Sequence, residues 1–316
     1  MNLKISIGII FIMLFISCVS PSLRNKTTFL LNKNEQGFEL LENGKPVFFY
    51  QKLPKTSANK YICNNYIHPL YSLKGDTITE EFPPDHLFHR GVFWAWHQLY
   101  INNQSIGDGW VLENISQEVV DIRSDLRNSM AKFDLKVLWK SSLFLSGNPF
   151  IEENTTIVVN ALESDIRKID FKISLKALTE GVQIGGSDDV KGYGGFCIRT
   201  KLPDNLVFTS ENGPVKPQNL QLEAGPWMDF SGDFKTGNET GVTILCHPST
   251  PNYPAPWILR QKTSMQNIVF PGRERTNVSM DKPLVLRYRL IIHDGNASSL
   301  NISKLQEEYA KINFNY

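Results

Sequence analysis

The chain has 316 residues, 33 Lys plus Arg against 32 Asp plus Glu, and a hydrophobic share of 41%. That apolar content can build a large core and argues against disordered or collagen-like architecture. A net charge of +1 without a basic run of five gives no sign of a nucleic-acid partner, and a lone apolar run rules out a multi-span membrane enzyme.

That run, Ile5 to Ile16, follows Lys4 and is shorter than the roughly 20 residues of a membrane span, so it reads as a signal-peptide core. Leu14-Phe15-Ile16-Ser17-Cys18 resembles a bacterial lipobox, with Phe15 at the usual Leu position. The expected organisation is a lipoprotein signal peptide over 1–17, acylation at Cys18, a tether over 18–36 and one catalytic domain over 37–316. The expected location is the periplasm, on the outer membrane, with membrane contact through the lipid anchor only and no protein partner. Cys63, Cys197 and Cys246 are widely spaced and leave two readings open, one disulfide or three buried thiols.

Along the remaining chain nearly every element reads as a strand. Asn43-Gly44 suits a tight turn between two apolar strands within Phe38 to Tyr50. Phe133, Leu135, Val137 and Trp139 alternate with polar residues, as do Ile169, Phe171, Ile173 and Leu175, so each strand buries one face. Further strands are expected at 151–161, 194–201, 241–247, 257–260 and 284–293. Ile302, Leu305, Tyr309 and Ile312 fall at helical spacing and predict a short C-terminal helix, packed on the edge of the fold. Many strands without intervening helices predict an all-β fold, a large antiparallel β-sandwich.

Four of the six histidines, His68, His86, His89 and His97, fall within 30 residues beside Glu80, Glu81, Asp85, Arg90, Trp94 and Trp96. A strand entered at His89 would put His89, Phe93 and His97 on one face and Arg90, Trp94 and Trp96 on the other. On 284–293, Arg287, Arg289 and His293 share a face opposite the apolar stripe Leu284, Leu286, Tyr288, Leu290 and Ile292, which means solvent or an anion-binding groove. Gly194-Gly195 beside Tyr193 and Arg199 allows close backbone approach to a ligand. His247-Pro248 ends a strand before a long loop reaching Trp257, a plausible place for a site residue.

Several of these stretches resemble the signature of an uncharacterised bacterial family often labelled PmoA-like. They are Ile67-His68-Pro69, Phe82-Pro83-Pro84-Asp85-His86, His89-Arg90-Gly91, Tyr193-Gly194-Gly195-Phe196 with Arg199, Trp227-Met228-Asp229, His247-Pro248, Pro254-Ala255-Pro256-Trp257 and Arg287-Tyr288-Arg289 with His293-Asp294-Gly295. Leu87-Phe88 departs from the Pro-His that members usually carry. The methane-oxygenase label does not fit a mature chain without spans of roughly 20 apolar residues. The resemblance implies a galactose-mutarotase-like supersandwich working with polysaccharide-degrading machinery, and a link to an oligosaccharide dehydratase of ulvan breakdown.

Histidine, arginine and tyrosine suit elimination of water from the terminal uronic acid of an acidic oligosaccharide. An arginine neutralises the carboxylate as an enediolate forms, one His or Tyr removes the C5 proton, and another protonates the departing oxygen. The expected roles are His68 or His89 as base, Arg199 as neutraliser and His247 or Tyr193 as acid, with His86, Arg90, Trp257 and His293 binding substrate. No cofactor is required by that chemistry. The competing reading is a divalent metal held by His86-x-x-His89 with His68 or Asp85. Two other functions stay open: a glycoside hydrolase using a pair among Glu80, Glu81, Asp85 and Asp229, and a sugar-binding module stacking Trp94, Trp96, Trp110, Trp227 or Trp257 on sugar rings. One cleft should collect His68, His86, His89, Arg199 and His247, with Arg90 or His97 at its wall.

Overall fold

A computed structural model of the protein describes residues 27–314 apart from 59 and 236. The leader over 1–17 and the lipidation candidate Cys18 lie outside the described residues. The Asn43-Gly44 turn forms as the sequence predicts, with both residues at positive φ (51° and 79°), and joins strands Gly37–Glu42 and Lys45–Gln51. Phe29–Lys33 pairs with the first of these as an edge strand, so the fold starts inside the expected tether.

Eight strands form the first sheet, in the order Phe29–Lys33, Gly37–Glu42, Lys45–Gln51, Tyr66–Leu70, Val92–Trp96, Gly194–Ile198, Gln266–Val269 and Trp257–Ile258. The second sheet has nine, and its middle runs Pro149–Asn160, Ile166–Ala177, Leu284–Asp294, Glu239–Cys246 and Trp227–Asp233. Pairing in both sheets is antiparallel, and the strands read from alternation bury every second side chain, most regularly in Met130–Ser141.

The inner faces meet through aromatic pairs contributed one from each sheet. Phe38 stacks on Phe133 at 4.6 Å, Phe196 on Tyr288 at 4.8 Å, and Trp96 lies 5.9 Å from Trp139. The chain is therefore an all-β antiparallel sandwich. Glu153 is buried within it and accepts from Trp139 Nε1, Thr155 Oγ1 and Asn65 Nδ2 at 2.8–3.2 Å, which satisfies a carboxylate otherwise costly to bury.

Each sheet also has a covered outer face. Over the first sheet, Cys63, Tyr66, Phe93, Ala95, Trp110, Cys197 and Met265 form a separate apolar cluster under the 79–90 segment. Over the second, the helix Ile302–Ala310 packs Ile302 and Tyr309 against Trp227, Leu245 and Ile291. The helix thus lies on a sheet face rather than on the expected edge. All three described cysteines are buried free thiols, which decides between the two readings.

Candidate functional site

The histidine-rich segment is shaped by a glycine. Gly91 sits at φ +53°, and a Cβ there would stand 1.9 Å from the Ile67 carbonyl oxygen, so only glycine lets the chain cross the neighbouring strand. The strand accordingly starts at Val92, not at His89, and alternation is broken at the join. Trp94 and Trp96 enter the main core, which removes them as sugar platforms. Arg90 instead joins Phe93 on the outer side, its guanidinium 4.5 Å from the ring, and donates to the carbonyls of Phe88 and Trp110. Buried in this way, Arg90 braces the loop rather than binding substrate, which corrects its expected role.

A cavity of about 400 Å³ opens above this face, lined by His86, Phe88, His89, His97, Trp110, Lys191, Tyr193, Asn219, Arg260 and residues 262–264. His86 and His89 stack in parallel, centroids 4.5 Å apart and planes 4° apart. His86 Nδ1 lies 2.9 Å from Asp85 Oδ2. Arg199 then grips Asp85 through two bonds of 2.9 Å and holds Glu80 through Nε at 3.0 Å and Nη2 at 2.9 Å. Its remaining Nη1 proton goes to the Ser264 carbonyl. Every donor of Arg199 is therefore engaged within the protein, so the expected role as a free carboxylate neutraliser is corrected: Arg199 fastens the loop that carries the histidines.

Electrostatics follow from this arrangement. Burial tends to raise the Asp85 pKa, but the His86 hydrogen bond and the Arg199 guanidinium outweigh it and hold the carboxyl below its ordinary range. Burial, reinforced by His86 and by Arg199 and Arg90, pushes the His89 imidazole down to about 2. His89 is thus a neutral ring near pH 7, and its buried Nδ1 has no hydrogen-bond partner. Burial raises the Tyr193 phenol and keeps it protonated; its ring lies 5.7 Å from Trp110 and 5.5 Å from the Arg260 guanidinium.

His68 lies on the same outer face but outside the cavity lining. Its Nδ1 meets Thr79 Oγ1 at 2.9 Å, and burial pushes its pKa down to about 4. Nearby, Tyr66 donates to Glu81 at 2.5 Å while Lys55 pairs with the same carboxylate.

The expected convergence fails for the second-sheet residues. His247 sits edge-on to Tyr309 and Phe314 at the C-terminal end of the chain, with Nδ1 held by Ser249 at 2.7 Å. His293 is fully buried and bonds Asp229 at 2.8 Å, and Arg289 makes a bidentate pair with Asp170. These groups lie on the outer face of the second sheet, with the whole sandwich between them and the cavity. The face expected to meet solvent or an anion is covered by the C-terminal helix, so the structure places His247 and His293 apart from the cavity. Trp257 is likewise a core residue, its Nε1 bonded to the Gly225 carbonyl. Of the five tryptophans weighed as sugar platforms, Trp110 alone lines the cavity.

The donor set also bears on the metal reading. Stacked parallel rings send their in-plane lone pairs side by side rather than toward a common point, and Asp85 is committed to Arg199 and His86. Among the described residues, no group of three His, Cys, Asp or Glu side chains is placed to hold an ion.

A family of unknown function (DUF6807) matches residues 38–307. The chain belongs to that family. Nearly the whole sandwich, with every cavity residue named above, falls inside the DUF6807 match. No curated protein matches the sequence. Sequence reasoning missed Lys191 and Lys262 as cavity residues; both sit in short polar turns that read as ordinary solvated loops. Phe88, at the departure from the usual Pro-His pair, lines the cavity edge-on to both His86 and His89.

Proposed function

We propose that this pocket binds the terminal uronic acid of an acidic oligosaccharide and eliminates water from it, leaving a C4–C5 double bond. The observation that carries the reading is the lining itself. It holds three histidines, a tyrosine and the cations Lys191, Arg260 and Lys262, and no Asp or Glu among its described residues. Hydrolysis ordinarily needs two carboxylates flanking the scissile bond, and those behind the lining are already engaged: Glu80 and Asp85 by Arg199, and Asp108 by His97 and the Trp110 and Val111 amides. Elimination needs positive charge for the substrate carboxylate and a proton acceptor of imidazole type, which is what the lining offers.

In this reading Lys191 and Lys262 neutralise the carboxylate as the enediolate forms. His86 takes the C5 proton, because its Nδ1–H is donated to an ionised Asp85 and its Nε2 is left as the basic nitrogen. The base role thereby moves from His68 or His89 to their neighbour. Tyr193 donates a hydrogen bond to the sugar, and Trp110 supplies an aromatic wall. The resemblance to the PmoA-like family supports saccharide breakdown as the setting, with Cys18 as the lipid anchor on the periplasmic side of an outer membrane.

The test is incubation with uronic-acid-ended oligosaccharides, ulvan fragments first, following the ultraviolet absorbance of an unsaturated uronate. Growth of that band in the wild type and its loss in His86→Gln is the expected result. Release of a saturated sugar would instead mean hydrolysis, and binding without conversion would mean a binding protein.

A further inference from the structure

The cavity contains a second carboxylate-oriented imidazole. His97 Nδ1 lies 2.8 Å from Asp108 Oδ2, and Asp108 Oδ1 is itself fixed by the backbone N–H groups of Trp110 and Val111 at 2.8 and 3.2 Å. The His97 ring stacks on Trp110 with centroids 5.0 Å and planes 14° apart. Position and tautomer are therefore set from two directions: the carboxylate accepts a hydrogen bond from Nδ1–H, and the indole fixes the plane. What remains is Nε2 on a side chain that lines the same cavity as His86. The row His86, His89, Trp110, His97 is continuous, since His89 meets Trp110 edge-on at 6.3 Å. The two Asp–His pairs stand at its two ends.

Resting on the elimination reading of this pocket, we infer that His97 is the general acid, delivering a proton from Nε2 to the oxygen that leaves C4. The C5–H bond breaks toward His86, its electron pair forms the C4–C5 double bond, and the C4–O bond breaks as His97 hands over its proton. The products are the unsaturated uronate and one water. His86 ends protonated and His97 neutral, and solvent restores both. Hydroxide is a poor leaving group, so an elimination of this kind gains from an acid at the departing oxygen. Asp108 and Asp85 hold the Nδ1–H of their rings throughout, so each ring exchanges its proton through Nε2.

A leaving-group comparison tests the assignment in the full-length protein. The probes are a glucuronic-acid-ended disaccharide and its 4-deoxy-4-fluoro analogue, which loses fluoride without needing a proton. His97→Gln should lower turnover of the hydroxyl substrate by about 10²–10⁴-fold and leave the fluoro substrate within a few-fold of wild type. Asp108→Asn, which keeps an acceptor for the Trp110 and Val111 amides, should show the same split in milder form. His86→Gln should lose both substrates. Equal losses on both substrates in the His97 and Asp108 variants would make the pair structural and overturn the assignment, as would no loss in either. If the wild type yields unsaturated product from neither probe, the elimination reading fails and the acid role with it.

Discussion

Arg199 and Asp85, 114 residues apart in sequence, face each other through two bonds of 2.9 Å, and that contact fixes the loop carrying His86 and His89. A lysine would keep the charge but cannot form two parallel bonds to one carboxylate. Arg199→Lys should lower turnover about 10²-fold through misplacement of His86. It should also cost about 1–3 kcal/mol of stability, the scale of hydrogen bonds to charged groups. Urea unfolding and limited proteolysis check this, with faster cleavage expected between residues 82 and 90. An unchanged cleavage pattern with full activity would show that the contact does not hold the loop.

Two histidines near the pocket resist protonation in the fold, and the consequence for stability has a definite sign. The folded pKa of His68 is about 4 and that of His89 about 2, both below the value of about 6.5 for an unfolded chain. As pH falls below about 6.5 the unfolded chain takes up these protons first, so stability is lost until the folded value is reached. Each group contributes a slope of at most about 1.4 kcal/mol per pH unit. Glu153, pushed up by burial, acts in the opposite sense, as does His293, where burial is outweighed by its Asp229 partner. Comparison between proteins therefore isolates the effect: from pH 7 to pH 5, the wild type should lose more urea resistance than His68→Gln/His89→Gln. Equal losses would mean that neither ring is held neutral.

Gly91 offers a steric test of how the pocket is built. An alanine there would need φ near +53° and would place its Cβ 1.9 Å from the Ile67 oxygen and 2.9 Å from the His68 Cβ. Gly91→Ala should cost about 2–3 kcal/mol, the upper part of the range for ordinary single substitutions. The damage should centre on the segment preceding Val92, read as faster amide exchange in residues 80–91. Exchange changes confined to other regions would contradict that placement.

The reach of the sequence is clearest where a rule is local. Period-two alternation located Met130–Ser141 and Ile166–Ala177, and Asn43-Gly44 located the hairpin, because each depends on neighbouring residues. Alternation also divided the Leu284–Asp294 strand correctly, with Leu286, Tyr288, Leu290 and Ile292 in the core. It could not say what covers the other face, and the helix Ile302–Ala310 turned an expected groove into interior. Of the cleft expected from sequence, His86 and His89 line the cavity and Arg199 holds their loop from a neighbouring strand of the same sheet, whereas His68 lies outside the lining and His247 on the second sheet. The partners of Arg199 were not legible, since a guanidinium that binds substrate and one that ties down a loop look alike in sequence.

The same distinction gives a last prediction, on the second sheet. His293 and Asp229 are both fully buried and 2.8 Å apart, and Thr243 Oγ1 donates to the same carboxylate at 2.8 Å. Removing the imidazole leaves a buried charge with part of its solvation missing, the case in which breaking a pair costs about 3–5 kcal/mol. His293→Ala should therefore lower the urea midpoint sharply, while the fraction that remains folded keeps wild-type turnover, since the sandwich core separates this pair from the cavity. His247→Gln, just past the Glu239–Cys246 strand and beside Tyr309 and Phe314, should lose less stability and likewise keep turnover. Turnover is measured per folded molecule, with the folded fraction read by circular dichroism in the same sample. A fall of 10²-fold or more in either variant at full folding would return these histidines to the reaction, and the assignment of all catalytic groups to the first-sheet cavity would have to be abandoned.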